Sequence, residues 1–151
     1  MSWDFYINQF RNYLKLERSL SENSIGAYVH DIVKLKQFAD ISNQELSPVN
    51  MQTEHLRDFL QYIHELGLSA YTQARILSGL KAFFRYLLFE EIISVDPTQL
   101  LEGPKLGRKL PDTLSYPEIE QIMTAIDLST DEGMRNRAIL ETLYSSGLRV
   151  S

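Results

Sequence analysis

The sequence predicts an all-α fold, with four helices in a first domain and two further helices after a linker. Apolar side chains recur at intervals of three and four residues along most of the 151 residues, and no segment shows the alternation typical of a strand. The segment 103–111 contains two glycines and two prolines, a composition typical of a linker. We therefore expect one core of about 100 residues, followed by a shorter piece.

The first domain, residues 1–102, is predicted from four amphipathic segments and the residues at their ends. The expected helices cover about residues 3–17, 21–40, 53–66 and 69–91. Ser21 and Thr53 are expected N-caps, and Gly67 is the expected stop of the third helix. Asp96 and Pro97 end the last segment. Aromatic residues such as Trp3 stand at core spacing, so we expect them to be buried.

The linker is assigned to residues 103–113, and the second piece to 114–151. Ser115, followed three residues later by Glu118, predicts a capping box that opens a fifth helix. A sixth helix is expected over about 131–146, with Gly147 as its stop. A piece this short rarely builds a core of its own. We therefore expect it to be the start of a truncated domain.

Composition excludes several classes of site. The chain has no cysteine, so disulfides and thiolate metal sites are excluded. Three histidines, His30, His55 and His64, lack metal-ligand spacing, and we expect them at the surface, with no metal and no cofactor. No apolar run approaches the roughly 18 residues that would span a bilayer. The expectation is a soluble, cytoplasmic protein without a membrane partner.

Charge is unevenly distributed along the chain, whose net charge is −5. Residues 1–110 hold 12 basic and 13 acidic side chains, whereas residues 111–151 hold 3 and 7. Two segments, 69–89 and 103–111, contain no acid at all. Their basic residues are Arg75, Lys81, Arg85, Lys105, Arg108 and Lys109. Local positive charge of this kind favours binding to phosphate, although clustering on solvated surfaces produces the same pattern.

The fourth helix has a basic face opposite its apolar face. At 100° per residue, Arg75, Ser78, Lys81 and Arg85 occupy one side, and the gaps between them hold Ala74 and Ala82. Cations with small neighbours suit a helix that docks in a DNA groove. A bundle helix with solvated Lys and Arg fits the pattern too.

The second helix gives a weaker signal of the same kind. Asn23 and Lys34 lie on its polar face, whereas Glu22 and Asp31 are expected to dilute the positive charge there. Amide side chains can contact base edges, but solvated helix residues look the same.

The order of short motifs along the whole chain carries a family resemblance. The motifs are 17–25 (ERSLSENSI), 67–69 (GLS), 77–87 (LSGLKAFFRYL), 96–97 (DP), 104–105 (PK), 110–111 (LP), 135–141 (RNRAILE) and 143–151 (LYSSGLRVS). In this order and spacing, the sequence resembles the Xer-like tyrosine recombinases of the phage integrase family.

The resemblance implies a SAM-like core-binding domain whose second and fourth helices face the DNA major groove. It also implies a linker beside the duplex, and a catalytic domain that cleaves DNA through a tyrosine nucleophile. The implied function is site-specific recombination, of the type that resolves chromosome dimers. The partners would be double-stranded DNA and a second recombinase protomer, or a homotetramer on DNA. The expected DNA contacts are Asn23, Lys34, Arg75, Ser78, Lys81, Arg85, Lys105, Arg108 and Lys109.

The resemblance also assigns one catalytic residue. Arg149 follows the Leu-Tyr-x-x-Gly-Leu pattern and matches the family's first catalytic arginine. The family's nucleophilic tyrosine matches none of the eight tyrosines present, so we expect the chain alone to be inactive. Two alternatives stay open: a complete, non-enzymatic helical DNA-binding protein or regulator, and a helical module that binds only proteins.

Overall fold

The computed structural model describes residues 2–42, 45–107 and 112–149. These residues form six α-helices, and the described ranges contain no strand, which confirms the predicted all-α fold. The helices are α1 (Trp3–Leu16), α2 (Glu22–Ile41), α3 (Thr53–Glu65), α4 (Ala70–Phe89), α5 (Tyr116–Thr124) and α6 (Asp131–Ser146). The chain divides into two compact units, Met1–Gly107 and Arg108–Ser151, and each is described by itself below.

Serine N-caps fix the first turns of the two helices that carry most of the predicted site. The Ser21 hydroxyl accepts a hydrogen bond from the Ser24 backbone N–H, and α2 follows. The Ser69 hydroxyl accepts one from the Thr72 N–H at the start of α4. Each bond satisfies a backbone donor that the first helical turn leaves unpaired.

The start of α3 differs from the prediction by one residue. Gln52, and not Thr53, is the N-cap, and the Gln52 backbone N–H donates to His55 Nδ1 at 3.1 Å. The Thr53 hydroxyl donates instead to the Pro97 carbonyl, 2.9 Å away. The predicted stop at Gly67 is confirmed: this residue adopts φ +76° just after the helix, a conformation that glycine reaches without strain.

The core of the first unit is built around aromatic side chains of α1 and α4. Phe10 lies edge to face with Phe83, with ring centroids 5.3 Å apart, and Phe83 meets Phe84 at 5.4 Å. All three side chains are fully buried. Trp3 is also buried, and its indole N–H donates to the Leu46 carbonyl at 2.9 Å. The predicted core positions of these aromatic residues are confirmed.

Helices α2 and α4 approach each other closely at Gly79. A β-carbon built on Gly79 would lie 2.8 Å from the Asp31 carboxylate oxygen Oδ2 and 3.1 Å from the Asp31 β-carbon. Any larger residue at this position would therefore have to displace the Asp31 side chain. Inside a helix, glycine is about 1 kcal/mol less stabilising than alanine. At position 79 it also allows the close approach of α4 to Asp31 of α2.

The chain after α4 continues to pack on the first unit as far as Gly107. The Asp96 carboxylate accepts from the Thr98 N–H and hydroxyl, and Thr98 and Leu101 are buried. Gly103 then lies against Leu77. At the end of the unit, the Tyr71 hydroxyl donates to the Gly107 carbonyl at 2.5 Å.

The second unit consists of α5, α6 and their connection. The Ser115 N–H and hydroxyl both donate to the Glu118 carboxylate at 2.7 Å, which confirms the predicted helix start. The Arg137 side chain joins the two helices by donating to the Met123 carbonyl at 3.1 Å. Gly147 ends α6 in the left-handed conformation, as predicted.

Candidate nucleic-acid interface

The six predicted DNA-binding residues on α2 and α4 all lie at least partly in solvent. The two helices pack against each other, and Arg75 of α4 contacts Asp31 of α2; their outer faces together are the candidate surface. Lys34 and Lys81 are half-buried; the other four are exposed, namely Asn23, Arg75, Ser78 and Arg85. The Ser78 hydroxyl donates to the Ala74 carbonyl one turn earlier, so it can also accept from a ligand.

Some cations of the first unit have carboxylate partners and others have none within the described residues. Lys15, Lys36 and Arg57 are each within 4 Å of a carboxylate, on Glu22, Asp4 and Glu54 respectively. Over the ranges that the structure describes, Lys34, Lys81, Arg85 and Lys105 form no ion pair. Positive charge that no carboxylate compensates is what attracts a phosphate backbone.

Lys81 and Arg85 share a groove with the segment that follows α4. The groove has a volume of about 570 Å³, and Ser94 and Gln99 line its other wall. Both of these residues are exposed. The Asp96 carboxylate also borders the groove, but its Oδ1 is occupied by two hydrogen bonds from Thr98. The groove thus brings two cations together with the hydrogen-bonding side chains of Ser94 and Gln99 and with one carboxylate, Asp96, which forms no ion pair with either cation.

A second, smaller cleft lies on the other side of Arg85. It has a volume of about 100 Å³, and its lining includes Arg18, which follows α1, and Tyr28 of α2. The Tyr86 ring also borders it, and burial, with Glu90 and Glu17 nearby, raises the pKa of the Tyr86 phenol. This phenol therefore stays protonated at neutral pH and contributes no charge beside Arg18 and Arg85.

Arg75 differs from Lys81 and Arg85 because it has a carboxylate partner on α2. Its Nη1 donates to Asp31 Oδ2 at 2.7 Å. The Asp31 side chain is 1% exposed, whereas that of Arg75 is 45% exposed. The sequence analysis placed Asp31 on a solvated polar face, and this is wrong: Asp31 is buried against Gly79.

The start of the predicted linker contributes one described cation. Lys105 is exposed, between Pro104 and the Gly107 carbonyl that Tyr71 holds. Tyr71 precedes Ser78 by two helical turns, so the two lie on the same side of α4. The other predicted linker cations, Arg108 and Lys109, lie outside the described residues. The predicted domain limits, 102, 103–113 and 114, stay a prediction.

In the second unit, Arg149 is exposed just after Gly147. The described residues offer it no hydrogen-bond partner, and its catalytic role stays a prediction. An apolar groove of about 290 Å³ separates α5 and α6, with Ile119, Met123 and Leu143 on its walls.

The described residues contain no set of three or more His, Asp or Glu side chains that could hold a metal ion. His55 is half-buried and caps α3, so its predicted surface position is only partly correct. No helix in the described part of the chain is both long enough and apolar enough to cross a membrane.

Three residues of this surface were missed by the sequence analysis. Ser94 and Gln99 belong to the short segment that follows α4 and lines the groove. The path of the chain after α4 decides whether these side chains reach the groove, and the sequence pattern does not indicate that path. Arg18 is contained in the 17–25 motif, which was the available signal.

Comparison with known proteins identifies the family. The family model described as "Phage integrase, N-terminal SAM-like domain" matches residues 7–91, more than half of the chain. The chain therefore belongs to the phage integrase family by its N-terminal SAM-like domain.

Curated relatives cover almost the whole chain. Tyrosine recombinase XerD of Staphylococcus saprophyticus is 36% identical over 149 residues, which cover 98% of this chain and 50% of the relative. Tyrosine recombinase XerD of Pseudomonas putida is 37% identical over 96% of this chain and 48% of the relative. Tyrosine recombinase XerC of Anoxybacillus flavithermus is 37% identical over 98% and 49%. The chain thus corresponds to the N-terminal portion of Xer-like tyrosine recombinases and spans about half the length of these relatives.

One solved structure is similar in fold. The integrase from mycobacterium phage Brujita matches with a TM-score of 0.58 and 21% identity, over 80% of this chain and 39% of that one. At this identity the match concerns the fold alone.

Proposed function

We propose that the chain is the DNA-binding half of a site-specific tyrosine recombinase. In this proposal, the outer face of α2 and α4 contacts duplex DNA, and Lys105, Arg108 and Lys109 extend the contact along the linker. The single observation that carries the proposal is the pair Lys81 and Arg85, which line one groove and have no carboxylate partner in the described ranges.

Duplex DNA is the proposed ligand because the surface combines cations, small side chains and neutral hydrogen-bonding groups. The alanines beside Lys81 and Arg85 leave room for a close approach of the helix to a groove. Ser94 and Gln99 add hydrogen-bonding groups opposite the two cations. Backbone phosphates are contacted by such a combination of cations and neutral polar side chains. The other half of the protein would carry out the cleavage and rejoining of the strands.

Arg149 is proposed as the first catalytic arginine of the complete recombinase. A guanidinium is always charged and can donate two parallel hydrogen bonds to phosphate oxygens. It therefore suits the stabilisation of charge on the scissile phosphate. The support for this role is its place after the Leu143–Leu148 motif, together with relatives named as tyrosine recombinases over this stretch. A non-enzymatic regulator would use the same α2 and α4 surface, but the relatives favour a recombinase.

The test is the salt dependence of binding to a labelled duplex of random sequence. Each phosphate contact adds about 0.9 to the slope of log affinity against log salt. Lys81→Ala with Arg85→Ala should weaken binding and reduce that slope by roughly two. The matched control, Lys36→Ala with Arg57→Ala, removes the same charge from residues already paired with carboxylates. We expect the control slope to change little. Equal slopes for wild type and the Lys81/Arg85 variant would contradict the proposal.

A further inference from the structure

Asp31 is a buried carboxylate whose hydrogen bonding is incomplete. Its Oδ2 accepts from Arg75 Nη1 at 2.7 Å, whereas its Oδ1 is buried without a hydrogen-bond partner among the described residues. Burial raises the pKa of the Asp31 carboxyl, and the nearby Arg75, Lys34 and His30 oppose that shift. A buried acceptor that lacks a partner costs folding free energy, and a charged one costs more.

The surroundings of Asp31 add a second cost. Gly79 stands opposite the carboxylate because a β-carbon there would lie 2.8 Å from Oδ2, and glycine is unfavourable inside a helix. Buried ion pairs are often no more stabilising than apolar side chains of similar size. Stability alone therefore does not explain why a buried carboxylate stands opposite a helical glycine. The effect of Asp31 on Arg75 gives a better explanation.

The pairing fixes Arg75 and compensates its charge. Asp31 engages Nη1, while the Nε and Nη2 donors of the same guanidinium have no partner among the described residues. Because Asp31 is rigidly buried, it restricts the rotamers of a side chain that is still 45% exposed. An arginine of this kind gains less from phosphate charge than Lys81 or Arg85, but it presents two donors in a fixed direction.

We propose that Asp31 is a positioning residue that aims Arg75 at a guanine edge in the major groove. The inference rests on the proposed function, since it requires that α4 docks on duplex DNA. A guanidinium donates in parallel to guanine O6 and N7, and such a bidentate contact needs a fixed orientation more than net charge. On this surface Lys81 and Arg85 bind phosphates, and Arg75 supplies a base preference.

The experiment is a selection from a pool of randomised duplexes, carried out with the 151-residue chain and its variants. Wild type should select a guanine at one position of the enriched site. Arg75→Ala should remove this preference, and Arg75→Lys should remove it too while retaining the charge, because an ammonium lacks the planar pair of donors. Lys81→Ala is the matched control: affinity should fall for all sequences, with the guanine preference unchanged.

Asp31→Asn is the decisive variant because it keeps the shape of the side chain and removes its charge. The guanine preference should fall by roughly tenfold or more, since a bidentate base contact discriminates by one to two orders of magnitude. Binding to a duplex of fixed random sequence should become tighter and more salt-dependent, because the charge of Arg75 is no longer compensated. A merely structural role for Asp31 would weaken both kinds of binding together.

The outcomes separate this inference from the proposed function. The inference fails, and the proposed function stands, if the chain selects a site and Asp31→Asn leaves the guanine preference intact. The same conclusion follows if Asp31→Asn weakens both the guanine preference and the binding to a duplex of random sequence. The same holds if the Arg75 variants keep the preference. If the wild-type chain binds no duplex at all, both fail.

Discussion

At the scale of single residues, Asp31 and Arg75 should contribute unequally to stability. Arg75→Ala leaves a buried carboxylate with no partner at all, whereas Asp31→Asn leaves a half-exposed guanidinium that water can solvate. At neutral pH, we expect Arg75→Ala to lower the free energy of unfolding by about 1–3 kcal/mol or more. We expect Asp31→Asn to change the free energy of unfolding by less than about 1 kcal/mol. Urea unfolding of the two variants checks this order, and equal losses would contradict it.

The Asp31–Arg75 pair also predicts that the free energy of unfolding depends on pH. Because the folded-state pKa of Asp31 is raised, the folded protein binds the proton more tightly than the unfolded protein. The stability that this proton provides is present below the ordinary aspartate pKa, and it is lost as the pH rises through the folded-state value. Arg75→Ala removes an attraction that lowers this pKa, so the difference in stability between about pH 4 and about pH 7 should increase. Asp31→Asn is the reference that lacks the effect.

The burial of Asp31 could not be predicted from a helical wheel. Ile25, Ile32 and Leu35 lie in the core, and apolar side chains at this helical spacing mark the inner face of α2. The wheel treated Asp31 as polar and therefore solvated. Its partner lies 44 residues away on another helix, and no local pattern encodes such a distant pairing. Gly79, a glycine inside a helical segment, is the local feature of the sequence that coincides with this contact.

At the scale of elements, the ends of the helices were largely predictable because they depend on local chemistry. Ser21, Gly67 and Gly147 act as the sequence predicted. Thr53 was misassigned because its hydroxyl has a distant acceptor, the Pro97 carbonyl. Leu66, the last residue of the predicted third helix, is 59% exposed, and α3 ends one residue before it.

The first part of the linker is a further element whose contacts can be tested. Tyr71→Phe removes the hydrogen bond to the Gly107 carbonyl and retains the ring. We expect faster cleavage by a lysine-specific protease after Lys105, because the exposed segment is less restrained. The thermal midpoint of unfolding should change little, since Tyr71 is 57% exposed and the core does not depend on it. Mass spectrometry identifies the cut, and an unchanged rate of cleavage would show that the bond does not hold the segment.

At the scale of the whole molecule, the chain matches about half the length of its XerD and XerC relatives. The fold could be predicted because helix periodicity and family motifs cover the chain from end to end. The candidate site could be predicted only as a set of helix faces. Which cations remain uncompensated depends on carboxylates from other elements, as the Lys36–Asp4 and Arg57–Glu54 pairs illustrate.

The proposed role of Arg149 is a prediction about the complete recombinase. Arg149→Ala should slow the formation of the covalent protein–DNA adduct by about a hundredfold or more, corresponding to about 3 kcal/mol or more of lost transition-state stabilisation. Site binding should be nearly unchanged, because α2, α4 and the linker supply the proposed contacts. A nicked suicide substrate measures the adduct, and a mobility shift on the same substrate measures binding. Loss of binding together with cleavage would contradict a purely catalytic role.

The buried position of Trp3 gives the molecule an internal spectroscopic reporter. It is the single tryptophan of the chain, and its indole is enclosed in the first unit, where it donates to the Leu46 carbonyl. Indole emission moves to longer wavelength when the ring enters water. Tryptophan fluorescence therefore follows the opening of the first unit alone, whereas circular dichroism follows the helices of both units. Comparing the two signals shows, without any label, whether the units of this chain unfold together or one after the other.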